Sequence, residues 1–219
     1  MTQDITPTIQ DQLNLSALIL RSNHKNAELT SWSGFNLEDE IHVKHAKRLL
    51  KLYGIKSGLH LRNSLQRYEN GSMVSNSFEK LAAKFRSLTT QDFEAEYNKL
   101  ENPSTKNIYK RAWKYRFSLQ KEKLIGYELA YYIFLMRLGI VLDFITLDEV
   151  ILRLEDVNTR IKSTFSSWGE FHQNVCIGDE FVSGAKEQDN SRFPGIETLW
   201  EHYQRLYIQN GEWFKEWKL

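Results

Sequence analysis

An all-α fold is expected for this chain, a single compact multi-helix domain around a buried central helix near residues 126–143. Three observations predict it. Apolar residues recur at helical spacing in one segment after another, and no alternating strand run of useful length occurs. Only three prolines and eleven glycines occur, too few turn formers for a β-sandwich. The window from Leu129 to Phe144 is apolar on nearly every side apart from Arg137, as a helix enclosed by others would be.

The elements follow in order. Residues 1–8 read as a frayed start. Leu13, Ala17 and Leu20 mark a short first helix, and the polar stretch 22–35 is loop. Asn36 is placed to cap a helix whose first turn carries Glu38, Asp39 and Glu40, where the helix dipole favours anions. Ile41, Ala46, Leu49, Leu50 and Tyr53 form its apolar stripe, and Gly54 stops it. Ser57 opens the next helix with Leu61, Leu65 and Tyr68, ended by Asn70-Gly71. Phe78, Leu81, Ala82 and Phe85 follow on another, and Thr90 caps a short helix with Phe93 and Tyr97.

Pro103 punctuates the chain. If the domain has two lobes they meet at 101–105, with the second spanning 106–219. Helical pattern resumes through Ile108, Ala112, Tyr115 and Leu119, and Gly126 marks a bend or a close approach. Thr146 to Glu149 and Ser167 to Glu170 each have the spacing of a capping box. Val150, Leu154, Val157 and Ile161 follow the first box, and Phe171, Val175 and Phe181 the second. After a polar loop over 184–194, Ile196, Leu199, Tyr203 and Leu206 outline a last helix.

Composition bounds the class. At 219 residues the chain can bury a sizeable core, and 13% aromatic content argues against disorder. A single cysteine, Cys176, rules out an intrachain disulfide and fits a reducing compartment. The N-terminus has no basic n-region, and the most apolar window is too short and too broken for a membrane span. A cytoplasmic protein is expected. Net charge is +1, but residues 106–140 sum to +6 and residues 141–219 to −6. Such asymmetry can steer a charged partner, although two solvated helix faces would give the same numbers.

No phosphate loop, dinucleotide fingerprint or nucleophile elbow occurs. His42 and His45 lie three apart without further ligands nearby, and His24, His60, His172 and His202 are scattered, so no metal and no cofactor is expected. Cys176 has His172 one turn away, but Asp179 and Glu180 follow it closely and work against a thiolate, which favours a buried structural cysteine. Glu170, Asp179 and Glu180 have the chemistry for acid–base work, with nothing in their spacing to set them apart from solvated carboxylates. Residues 106–123 interleave cations with Tyr109, Trp113, Tyr115 and Phe117, a pattern that can bind nucleic acid. Lys106, Lys110 and Lys114 nevertheless share one face and Ala112, Tyr115 and Leu119 another, which is an ordinary amphipathic helix. The Trp213, Phe214, Trp217 tail either docks on the body or shows an apolar patch to a partner, and docking is favoured.

The run from Gly126 to Gly184 carries Tyr127-Glu128, Gly139, the acid-rich start Thr146 to Glu149, and Ser166-Ser167-Trp168-Gly169-Glu170-Phe171 before Gly178 and Phe181. In these features it resembles the bacterial domain of unknown function 1266 family. The N-terminal half fits more loosely, through residues 49–55. Where that family usually shows Trp-Asp this chain has Tyr127-Glu128, and Tyr131 stands where an Arg is usual. The resemblance implies an all-helical protein without an established activity. It also implies a protein-binding role linked to bacterial toxin systems, most concretely an immunity protein.

The expected function is therefore a non-enzymatic protein-binding module that neutralises a toxin by stoichiometric binding. Its acidic segment 141–219 would complement a basic partner. Trp168, Glu170, Phe171, Asp179, Glu180 and Trp213 are the expected partner-binding residues, because aromatic side chains dominate binding hot spots. The alternative is an enzyme with a carboxylate site near Glu128 and Glu170. A membrane role is not expected, nor is nucleic-acid binding.

Overall fold

Residues 4–183, 198–205, 207 and 217 are described by the computed structural model, and among them are eleven α-helices and no strand. The all-α expectation holds, and local sequence explains most helix starts. Ser57 opens α4 (Gly58–Glu69) by accepting the N–H of His60. Asn102 opens α7 (Pro103–Tyr115) by accepting the N–H of Thr105, with Pro103 in the first turn where its missing donor costs nothing. Thr146 accepts from Glu149 at the start of α9 (Leu147–Thr164). The other half of that box is not made, because the Glu149 carboxylate is taken by Arg62 and Arg153. Gly54, at φ +74°, closes α3 (Glu40–Leu52) in a conformation that glycine adopts without strain.

Some boundaries differ from expectation. The first helix is split into α1 (Pro7–Asn14) and α2 (Ala17–Asn23), with the Ser16 hydroxyl donating to the Leu13 carbonyl at the break. Asp39 rather than Asn36 caps α3, while Asn36 closes a local turn by accepting from Glu38. Thr89 rather than Thr90 caps α6 (Thr90–Asn98), in a full box with Asp92.

The central helix is α8 (Ile125–Val141), within two residues of the span expected for it. It packs against α2, α3, α4, α9 and α10 (Trp168–Ser183). Gly126 and Gly178 let α8 and α10 approach closely. A Cβ at Gly178 would sit 2.3 Å from Tyr127 Cβ, and one at Gly126 2.8 Å from Asn174 Oδ1. Asn174 ties the crossing together, accepting from Gly126 N–H and donating to the Lys123 carbonyl.

Two apolar clusters result. The larger surrounds α8 and draws on α2, α3, α4, α9 and α10. The smaller combines Phe78, Ala82 and Phe85 of α5 (Ser75–Arg86), Phe93 of α6, Ala112 of α7, Leu119, Leu124 and Phe181 of α10. It takes side chains from both sides of 101–105, so packing runs across the expected lobe boundary.

Two charged side chains of α8 are fully buried. Arg137 donates to the carbonyls of Leu13 and Ser31 at 3.1 and 2.8 Å, and more loosely to Glu28, Leu29 and the Ser16 hydroxyl. Burial pulls its pKa down to about 9, still protonated at neutral pH. Glu128 accepts from the N–H groups of Val74 and Ser75 at 2.5 and 2.7 Å, where α5 begins. Burial raises its pKa, and those backbone bonds oppose the rise. Replacing Arg137 by Met should destabilise the protein by roughly 3 kcal/mol or more, since several buried carbonyls lose their donor together. Urea unfolding measures this, and a loss below about 1 kcal/mol would show that the carbonyls find other donors.

Candidate functional site

Five of the six expected partner-binding residues lie on α10. Its start is built as the sequence suggests, one residue wider. Ser167 Oγ accepts the Glu170 N–H at 3.1 Å, while Glu170 Oε2 accepts from the Ser166 N–H and hydroxyl at 2.6 and 2.8 Å. Glu170 is thereby engaged as a cap. Trp168 and Phe171 point inward, only 2% and 0% exposed. Trp168 stacks on His172 and meets Trp217 edge-on, with centroids 5.6 and 5.0 Å apart, and Phe171 packs on Phe165 at 5.3 Å. The expectation that these two anchor a partner is corrected accordingly: the face of α10 that carries them lies on the main core. Trp213 lies outside the described residues, whereas Trp217 is half-buried against Trp168 and Phe171.

Asp179 and Glu180 go to opposite sides. Asp179 is half-buried and adds its charge to the surroundings of Tyr53, Tyr127 and Tyr131, whose pKa values are raised mainly by burial. The Tyr131 side chain hydrogen-bonds with Tyr53, its ring stacks on Tyr68 and it lies 4.7 Å from Tyr127. These phenols stay protonated at neutral pH. Sequence reasoning missed this group because its members come from α4, α8, α10 and the residue that ends α3. The buried Cys176 thiol is pushed up by burial and then by Asp179 and Glu180, so it is inert as a nucleophile, as expected.

Glu180 faces α7. Tyr115 donates its hydroxyl to Oε2 at 2.8 Å, and Arg111 Nε and Lys114 Nζ stand 3.6 and 3.8 Å from Oε1. Asn107, Lys110, Arg111, Lys114 and Glu180 line a cleft of about 380 Å³, in which three cations meet one carboxylate. Glu180 is therefore partnered within the chain. The aromatic residues of α7 turn away from solvent. Trp113 is stacked on Phe93 at 4.2 Å on one side and covered by the Arg116 guanidinium at 3.3 Å, and Tyr109 packs on Phe85. Base stacking on these rings is blocked, while Lys110 and Lys114 remain exposed. Phe117, just past the helix, is 56% exposed.

The carboxylates of the alternative reading are engaged at different helix starts, Glu128 at that of α5 and Glu170 at that of α10. Among the described residues no group of three or more His, Cys, Asp or Glu side chains is placed to hold a metal ion. No helix among them is long and apolar enough to cross a membrane. His172 is fully buried, with Nδ1 2.7 Å from the Tyr207 hydroxyl, and burial pushes its pKa down to about 3.

The family model described as Protein of unknown function (DUF1266) matches residues 48–217, so the chain belongs to this family. No curated protein and no solved structure matches it.

Two predictions follow from α10. Trp168→Ala should cost roughly 3–5 kcal/mol of stability, and an unchanged melting temperature would place the indole outside the core. His172 is neutral when folded and titrates near 6.5 when unfolded. Its contribution is complete above pH 6.5 and is lost as pH falls toward 3, about 5 kcal/mol in all. Unfolding at pH 7.5 and pH 4.5 should differ by about 2–3 kcal/mol more in the wild type than in His172→Gln. Equal pH dependence in the two proteins would contradict this.

Proposed function

We propose that this chain is a non-enzymatic protein-binding module whose contact surface is the cationic face of α7. The single observation behind the reading is the α7–α10 cleft, where Lys110, Arg111 and Lys114 outnumber Glu180. The surface charge thereby differs in sign from the segment charge of 141–219. In the acidic segment, Glu149 pairs with Arg62 and Arg153, Glu170 and Glu201 cap helices, and Glu180 is held by α7. The cations of α7 are left in excess, and they suit an acidic surface on the partner. Of the two ion pairs at Glu180 only that of Lys114 has an exposed cation, and such a pair is worth at most about 1 kcal/mol. A partner carboxylate can therefore draw Lys114 from Glu180 at little cost, while the largely buried Arg111 and the Tyr115 hydroxyl stay on Glu180. Arginine, which lines this cleft, is among the residue types that carry binding energy at interfaces.

The family resemblance points to a bacterial toxin as the partner, neutralised by one-to-one binding in the cytoplasm. The test is coexpression with the protein encoded next to this chain. A one-to-one complex is expected, with an association rate that falls steeply with salt. Lys110→Glu with Lys114→Glu should slow association about tenfold or more at an unchanged melting temperature, and Glu180→Gln should speed it. Association that ignores both changes would overturn the reading of α7. Turnover of a substrate at low protein concentration would overturn the module reading itself.

A further inference from the structure

His24, just past α2, meets His42 and His45 of α3 from across the intervening loop. His24 follows the last residue of α2, and its ring lies flat on Phe35 with centroids 4.6 Å apart and planes 7° apart. His42 stands edge-on to it at 4.5 Å, and His45 lies 5.6 Å away. The hydrogen bonds define the protonation state. Asn36 donates its N–H to His42 Nδ1 at 3.1 Å, so that nitrogen carries no proton. The Asn23 carbonyl can only accept, so His45 Nε2, 2.8 Å away, carries the hydrogen. His24 Nε2 is buried without a hydrogen-bond partner. All these bonds are made with neutral rings. A second proton on His42 would have to enter Nδ1 and break the bond from Asn36. A cation on His24 would face two other imidazoles and a nitrogen with no acceptor.

We propose that His24, His42 and His45 form an acid-released latch, neutral while residues 33–39 are seated against α3 and opened when the cluster takes up a proton. The surrounding charges do not rescue the protonated form. Asp39 Oδ2, 3.8 Å from His42 Nε2, favours a proton on His42 while its other oxygen caps α3, and the charges that act on the His24 ring, those of His42 and His45, oppose a proton there. Glu40 is paired with Lys44, Glu28 and Glu38 are exposed, and Arg21 and Lys25 flank His24 with further positive charge. Burial, then His42, then His45 lower the His24 pKa below its ordinary 6.5. The latch is therefore complete above pH 6.5 and loosens as pH falls below it. The same loop is held at its other end by Arg137, through the carbonyls of Glu28, Leu29 and Ser31. Release is thus confined to the Phe35–Asp39 end. Nothing in this inference depends on the α7 surface.

Hydrogen exchange of the full chain at pH 7.5 and 5.5, corrected for intrinsic rates, tests the latch. Amides of 33–39 should open more at pH 5.5 than at pH 7.5, by up to about tenfold, the most that one proton gives over the unit below 6.5, while α8 stays protected. His24→Phe keeps the stack on Phe35 and removes the titrating group, so it should abolish the difference. Equal protection of 33–39 at both pH values, or the same increase in His24→Phe, would overturn the proposal. The wild-type imidazole NMR titration decides the matter even if that variant fails to fold. His24 is expected to titrate below 6.5, and His24 titrating at or above 6.5 would refute the latch.

Discussion

A helix with no solvent face must satisfy every charge it carries from inside the protein, and α8 carries two. Arg137 and Glu128 do not pair with each other. The guanidinium meets carbonyls at the C-terminal end of α1 and in the loop beyond α2, and the carboxylate meets N–H groups at the start of α5. Each charge thus lies at the helix end whose partial charge complements it. Desolvating either ion alone would cost several kcal/mol, so these contacts restrict where α1 and α5 can sit. The apolar surface of α8 supplies the driving force for burial. The two ions select the arrangement in which that burial is tolerated.

The same logic governs α10, which connects the two apolar clusters. Its inward face commits Trp168, Phe171, Val175 and Cys176 to the larger cluster, and Phe181 to the smaller. Consecutive acids then diverge, Asp179 toward the tyrosines and Glu180 toward α7. Net charge by segment therefore misleads as a guide to surface charge. The acidic third contributes several carboxylates to caps and internal pairs, while lysines of α7 project outward on long flexible stems. A charge count becomes informative about partners only after the internal pairs have been removed from it.

Much of this was legible in the sequence wherever the cause is local. Ser57, Thr146 and Ser167 cap the helices they precede because capping reaches only three residues along the chain. The all-round apolar character of 129–144 revealed α8, and Arg137 stood out there as an interruption. Its partners did not, because backbone carbonyls have no residue signature. The start of α5 shows the limit most clearly. Val74 provides no side-chain cap, and the carboxylate that serves α5 comes from Glu128, more than fifty residues later. The spacing of Phe171, Val175 and Phe181 marked the inward face of α10, yet the contact of Trp168 with Trp217 lies beyond any local pattern. His24 looked isolated for the same reason, since its neighbours belong to the next helix.

Arg137 and the histidines hold one loop by chemically different means, and the difference has a direction. An arginine whose pKa falls to about 9 remains a cation at every pH the protein meets in a cell, so its grip on the carbonyls of 28–31 is constant. Imidazoles that must be neutral to accept from Asn36 and to pack against one another hold only where protons are scarce. A loop clamped by a permanent charge at one end and by titratable rings at the other does not respond to acid as a whole. It hinges about the permanent contact, and the end nearer α3 is the part that moves. Had both ends been held by carboxylates or both by arginines, the loop would remain fixed or be lost together. The mixed arrangement makes a local, reversible opening accessible within a fold whose central helix stays closed.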